Sequence, residues 1–198
     1  MKRPLKLQRG YSLVELSIAI AIIGVITAGA LAGVQSILRS NHVNSVIKQT
    51  NVAVGRTVAK TLRQPDTSGI STTVLAGLGV WDPQDVVSGV PNHAFSGAIT
   101  VGPLAAVGGY AANQSTYYQM QNIPKAACPE LAIGLADLAY AMTIKDATTT
   151  PAAADFGPNS TTAAKALGGN ISLSRVNTDC NQTGTNGNVS ISILVPRI

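Results

Sequence analysis

Charge is scarce in this chain: 12% of its 198 residues are charged and 4% are aromatic, where globular proteins carry about 25% charged residues. With 45% hydrophobic residues, that scarcity excludes a disordered chain held open by self-repulsion. Histidine and cysteine number two each, and His42, His93, Cys128 and Cys180 have no metal-ligand spacing, so no metal is expected. Phosphate loops and the HExxH and GxSxG patterns are missing, and neither histidine has a paired nucleophile nearby in sequence. No enzyme and no cofactor are expected. Asp82, Asp85, Asp137 and Asp155 are scattered singly and read as solvated surface residues.

The net charge of +5 is unevenly placed, because Lys2, Arg3, Lys6 and Arg9 all fall in the first ten residues. Without them, ten positive charges face nine negative ones. Nucleic acid binding needs clustered cations, so the folded part is not expected to bind it.

What the chain does have is one long apolar run. Leu16 to Leu38 is 23 residues without a charge, which spans about 35 Å as a helix and exceeds the ~30 Å hydrocarbon core of a bilayer. The basic tip before it keeps the N-terminus in the cytoplasm and sends the remainder outward. An ordinary signal peptide has a similar start, and Ala28-Gly29-Ala30 would serve as its cleavage site, leaving a soluble protein that begins at Leu31. Against that stand the length of the run and Glu15 at its head. A plain membrane anchor is the other alternative. A carboxylate costs about 2.5 to 3.5 kcal/mol near the bilayer centre, so Glu15 must be paired, neutralised or kept at the interface.

Beyond the run the apolar pattern becomes periodic: Val43, Ile47, Thr50, Val54, Val58 and Leu62 recur at helical spacing, with Lys48, Arg56, Lys60 and Arg63 largely away from them. Pro65, Asp66 and Gly69 supply a stop. One helix is therefore predicted from about Ser12 to Arg63, about 78 Å long, apolar in its first half and amphipathic in its second. It contains no proline. Gly29 and Gly33 form a small-xxx-small spacing that allows close helix approach.

The remainder reads as an α+β head. Ser68 to Pro124 is rich in Gly, Ser, Thr, Val and Ala and reads as loops with short strands. Trp81 beside Asp82-Pro83 reads as a buried ring next to a turn, and Tyr117-Tyr118 puts one ring on each face of a strand. Pro129 to Met142 reads as a second helix on the spacing of Leu131, Leu135, Leu138 and Met142. Ile171 to Val176 and Val189 to Val195 alternate apolar residues with serine and read as an antiparallel pair of strands joined by a long polar loop.

Lys6-Leu7-Gln8-Arg9-Gly10-Tyr11-Ser12-Leu13-Val14-Glu15, followed by Leu16-Ser17-Ile18-Ala19-Ile20, resembles the N-terminus of a type IV pilin precursor. The family pattern is a short basic leader ending in Gly, then Glu five residues into the mature chain and a long hydrophobic helix. The resemblance implies cleavage between Gly10 and Tyr11 by a membrane-bound prepilin peptidase, with methylation of the new amine. Tyr11 stands where the family most often has Phe. It also implies that Glu15 pairs with the Tyr11 amine of a neighbouring subunit in a helical homopolymer, a pair strong in hydrocarbon and nearly worthless in water. Export to an oxidising compartment makes a disulfide the leading reading of Cys128 and Cys180, and the family joins such a pair around its D-region. The head, with Ala126 to Leu135 around its first cysteine, looks more like the type IVb branch of toxin-coregulated and conjugative thin-pilus pilins, whereas the ten-residue leader is a type IVa habit.

The expected division is a leader at 1–10, a transmembrane and filament-core helix half at 11–38, an amphipathic half at 39–64 and a head at 65–198 with its disulfide-bounded segment at 128–180. Expected partners are the chain itself, the peptidase, membrane lipid before assembly, and a cytoplasmic ATPase with an inner-membrane platform, since the chain has no nucleotide site of its own. The precursor is expected in the bacterial inner membrane and the product in an extracellular pilus serving adhesion, aggregation or conjugation. A type II secretion pseudopilin and a minor pilin or adhesin remain as alternatives that share the same first half.

Overall fold

The computed structural model describes residues 12–197 apart from 148, 159 and 183–186. Gly10 and Tyr11 lie outside the described residues. Two compact units are present, Met1–Arg39 and Ser40–Ile198. Helix α1, Leu13–Thr61, contributes to both.

Within the second unit α1 buries Val43, Thr50 and Val54 of the expected face, with Ile47 and Val58 packed half-buried against the core. The buried face is wider than expected, taking in Val46, Ala53, Thr57 and Thr61, and Leu62 falls outside it at 63% exposure. Threonine can occupy this face because the hydroxyls of Thr50, Thr57 and Thr61 each donate to the carbonyl four residues back, at 2.8 Å. No polar group is left unmet there, and the small side chains let the sheet come close. The Arg197 guanidinium donates to the carbonyls of Leu62 and Gln64, meeting acceptors that the end of the helix leaves open.

The sheet is antiparallel, with strand order β3-β4-β7-β5-β6. Its strands are β3 Ile99–Pro103, β4 Ser115–Pro124, β5 Ala141–Asp146, β6 Ala163–Lys165 and β7 Asn188–Pro196. A separate hairpin pairs β1, Val86–Val87, with β2, Val90–Pro91. β7 is central and buried on both faces. Val189, Ile191 and Ile193 join the main core with α1, while Leu194 packs with Phe156, Leu104 and Val107 in a second cluster. The serines of this strand, Ser190 and Ser192, are buried too. Ser190 donates to Asp146 O at 2.9 Å and accepts from Gln119 Nε2, which also reaches Thr149 O at 2.6 Å. A polar layer lies inside the head because the end of β5 and the loop after it supply the acceptors Asp146 O and Thr149 O.

Four readings of the sequence are corrected. The helix expected from Pro129 to Met142 is α3, Cys128–Gly134, alone. Leu131 and Leu135 are core residues of that turn, but Met142 is buried from a strand, where it opposes Ile193. Ile171 to Val176 is not a strand and does not pair with β7: helix α4, Leu173–Cys180, begins there. Ser172 caps it by accepting the Arg175 N–H, Val176 and Cys180 are buried one turn apart, and Leu173 is exposed. The loop-and-strand region also holds helix α2, Thr72–Gly77, capped by Ser71. Asp155 is nearly buried, 2.6 Å from the Lys145 ammonium and accepting the Ala152 N–H at 2.7 Å.

Both sheet edges are occupied. The Thr72 hydroxyl accepts from the Val101 N–H at 2.8 Å and donates to the Val101 carbonyl, and Pro103 ends β3 without an N–H. On the other side the Ser172 N–H bonds Ala164 O, and Ile171 bridges Lys165.

The segment after the hairpin is held by His93. Burial pushes its ring down to about 4. Its Nε2 lies 2.7 Å from Gln121 O, and Nδ1 accepts the Phe95 N–H at 3.2 Å. A carbonyl can only accept, so Nε2 carries the proton and the ring is neutral. Gly97 closes this turn against the same ring: a Cβ there would sit 2.6 Å from His93 Nε2 and collide with the Gln121 carbonyl. Gly97→Ala is therefore expected to lower head stability by about 2 to 3 kcal/mol, read as an earlier urea midpoint. An unchanged midpoint would show that the turn has room to spare.

Candidate assembly site

Two features set the first unit apart: its surface and its single carboxylate. Every large hydrophobic from Leu13 to Leu38 is exposed, from 51% at Val34 and Leu38 to 85% at Leu13. α1 is, among the described residues, the one helix long and apolar enough to cross a membrane. Its hydroxyls are turned inward. Ser17 donates to Val14 O at 2.7 Å and Thr27 to Ile23 O at 2.9 Å, so neither requires water. A continuous apolar surface of this kind must be covered by lipid or by other helices.

Glu15 is exposed in the first turn of α1, where the helix dipole favours a negative charge. Its expected partner, the amine of Tyr11, lies outside the described residues, as does Gly10. Gly24, Gly29 and Gly33 have open space where a side chain would stand.

The head is a rigid platform for the second half of α1. Gln49 donates to Asp85 Oδ2 at 3.1 Å and to Asn92 O at 3.0 Å, while Arg56 donates to Val80 O at 3.0 Å and pairs with Asp82 at 3.1 Å. Trp81 is buried between these two clasps, as its place beside the turn predicted. Tyr118 is buried and its hydroxyl is pushed up to about 12 by desolvation, while Tyr117 is half-buried. α3 docks on α1 because Gly134 has no side chain to strike Ile47, and Ser40 donates to Glu130 Oε1 at 3.0 Å. Cys128 and Cys180 form a disulfide with Cα atoms 5.7 Å apart, joining the start of α3 to the end of α4. Among the described residues no three potential ligands cluster to hold a metal.

Sequence reasoning finds the cysteine pair but misses the clasps made by Gln49, Arg56 and Arg197. Their partners are mostly backbone carbonyls far away in the chain, for which residue type carries no signal.

The geometry can be set beside known proteins. A family model described as the prokaryotic N-terminal methylation motif matches residues 5–31. Over 194 residues the chain is 25% identical to the "Major structural subunit of bundle-forming pilus" of Escherichia coli O111:H-, covering 93% of this chain and 94% of that protein. Among solved structures, TcpA, a type IV pilin from Vibrio cholerae El Tor biotype, superposes with a TM-score of 0.52 at 17% identity, over 80% of this chain and 98% of that one.

Proposed function

We propose that this chain is a type IV pilin, the structural subunit of an extracellular pilus, and that it polymerises through α1; the N-terminal motif, the fold and a relative over 93% of its length support the reading. One observation carries the reading: a wholly exposed apolar helix with a single carboxylate at its head, attached to a unit whose own sheet edges are closed. The head cannot extend by adding strands at an edge already occupied, so the unsatisfied surface is the helix.

The precursor is held in the inner membrane with its basic tip in the cytoplasm. Cleavage behind Gly10 by the peptidase deletes four cations and leaves one amine, on Tyr11, at the start of α1. Glu15 of an incoming subunit pairs with the Tyr11 amine of its neighbour. Because hydrocarbon and a core of packed apolar helices are alike in polarity, the helix leaves lipid at small cost. A contact repeated head-to-tail without closing propagates as a fibre. Energy for extraction comes from a cytoplasmic ATPase acting through a membrane platform.

N-terminal sequencing and intact mass of filaments sheared from cells test this directly. The expected chain begins at N-methylated Tyr11. A chain that still begins at Met1, or one that begins near Leu31, would remove the processing step and with it the pairing.

A further inference from the structure

The feature of the head that filament formation does not use is the buried ring of His93. It bonds two separate parts of the chain at once: Nε2 to the β4 carbonyl of Gln121, and Nδ1 to the N–H of Phe95. Next to it the His93 N–H bonds Gly97 O, and the Asn92 carbonyl takes an amide hydrogen of Gln49 from α1. The ring thus sits where the segment running from Asp85 to Gly97 meets both the helix and the sheet.

That geometry accepts one protonation state. A second proton would go to Nδ1, where it would point at the Phe95 N–H, donor against donor. The ring cannot shift to relieve this, because the Gly97 backbone lies against it. Among the described residues no carboxylate is hydrogen-bonded to the ring, whose nitrogens meet Gln121 O and the Phe95 N–H. Asp85 shares the groove with His93, but its Oδ2 is occupied by Gln49. From α1, Lys48 lines only the adjoining groove, and His42 lies beyond the Phe95 ring, which stands edge-on to both imidazoles at 5.5 and 6.1 Å. β4 offers a carbonyl.

We propose that His93 is an acid-released latch: its protonation frees the 85–97 segment from β4 and from α1 while the five-stranded sheet stays folded, so that the head presents a different surface in acid. The direction follows from linkage. The closed ring holds its proton more weakly than an exposed histidine, so closure is complete above about pH 6.5 and weakens as the pH falls towards about 4. Across that window the closed-to-open ratio falls roughly tenfold per pH unit.

Hydrogen exchange of the full chain in detergent micelles, corrected for the intrinsic rate at each pH, measures this. Between pH 6.5 and 5 the protection of the Asn92, His93 and Phe95 amides is expected to fall at least tenfold, while the Gln119 and Ser192 amides of the central strands hold theirs. His93→Gln, which offers a donor and an acceptor at the same places and does not titrate, is expected to abolish the fall. His42→Gln and Asp85→Asn are expected to keep it. Protection that is independent of pH in the unaltered chain, or an equal fall in His93→Gln, overturns the latch, as does loss of the fall in Asp85→Asn. Should His93→Gln not fold, NMR titration of the unaltered ring decides. Protonation at Nδ1 in step with movement of the Phe95 and Gln121 amides upholds the proposal, and a ring that titrates without moving them overturns it.

Discussion

Cells carrying Glu15→Leu are expected to hold the protein in the membrane at a normal level and to shed filament at less than about one hundredth of the usual amount. Two unit charges 4 Å apart gain about 4 kcal/mol at an effective dielectric of about 20, and about 1 kcal/mol in water. The advantage of forming the pair in a water-poor setting is thus about 3 kcal/mol, or roughly a hundredfold in an equilibrium. Leucine removes the pair and also removes the cost of carrying a carboxylate into hydrocarbon. Retention in the membrane should therefore be unimpaired, and only assembly should fail. Glu15→Gln, which keeps hydrogen bonding without charge, should fall between the two. Immunoblots of sheared and membrane fractions read both amounts. Normal filament from Glu15→Leu would show that register is set by apolar packing alone.

Removing the disulfide has the second large effect, and it falls on the head. Cys128 and Cys180 are 52 positions apart and both buried. In the chain-entropy model a loop of that size restrains the unfolded chain by about 4 kcal/mol. For a chain of this size, about 2 to 4 °C in midpoint per kcal/mol gives an expected loss of roughly 8 to 16 °C in the thermal melt of the Cys128→Ala/Cys180→Ala chain. Alanine is the right replacement, because a buried serine would add an unmet hydroxyl and confuse the measurement. A loss under about 3 °C would mean that α3 and α4 are fixed by packing, with Leu131, Ala132 and Val176 sufficient on their own.

Legibility in the amino-acid sequence differs from element to element. α1 is readable over nearly its whole length, since forty-nine residues of helix outvote local ambiguity. Its buried face is readable only in part: Val43, Thr50 and Val54 are buried as expected, but Thr57 and Thr61 count as polar in a pattern yet satisfy their hydroxyls on their own helix. Val189 to Val195 is legible as a strand, but its serines mislead. Alternation implies a wet face, and here the Ser190 hydroxyl is met by the Asp146 carbonyl of β5 and by Gln119 of β4. α4 is easily misread because Ile171, Leu173 and Val176 give a short pattern compatible with either period, and the deciding fact is a single cap at Ser172. The disulfide can be written down because a chain with two cysteines allows one pairing.

The sequence by itself determined the division of labour: an apolar helix with one acid at its head, preceded by four cations and a glycine, followed by a head with eight acidic and five basic residues. These depend on composition and on neighbours along the chain, where solvation and helical period act directly. Only the tertiary structure decided which strand lies at the centre, which hydroxyls close the sheet edges, and that His93 is buried in a single protonation state. Each of those depends on backbone groups brought together from distant positions, and backbone groups are the same at every residue.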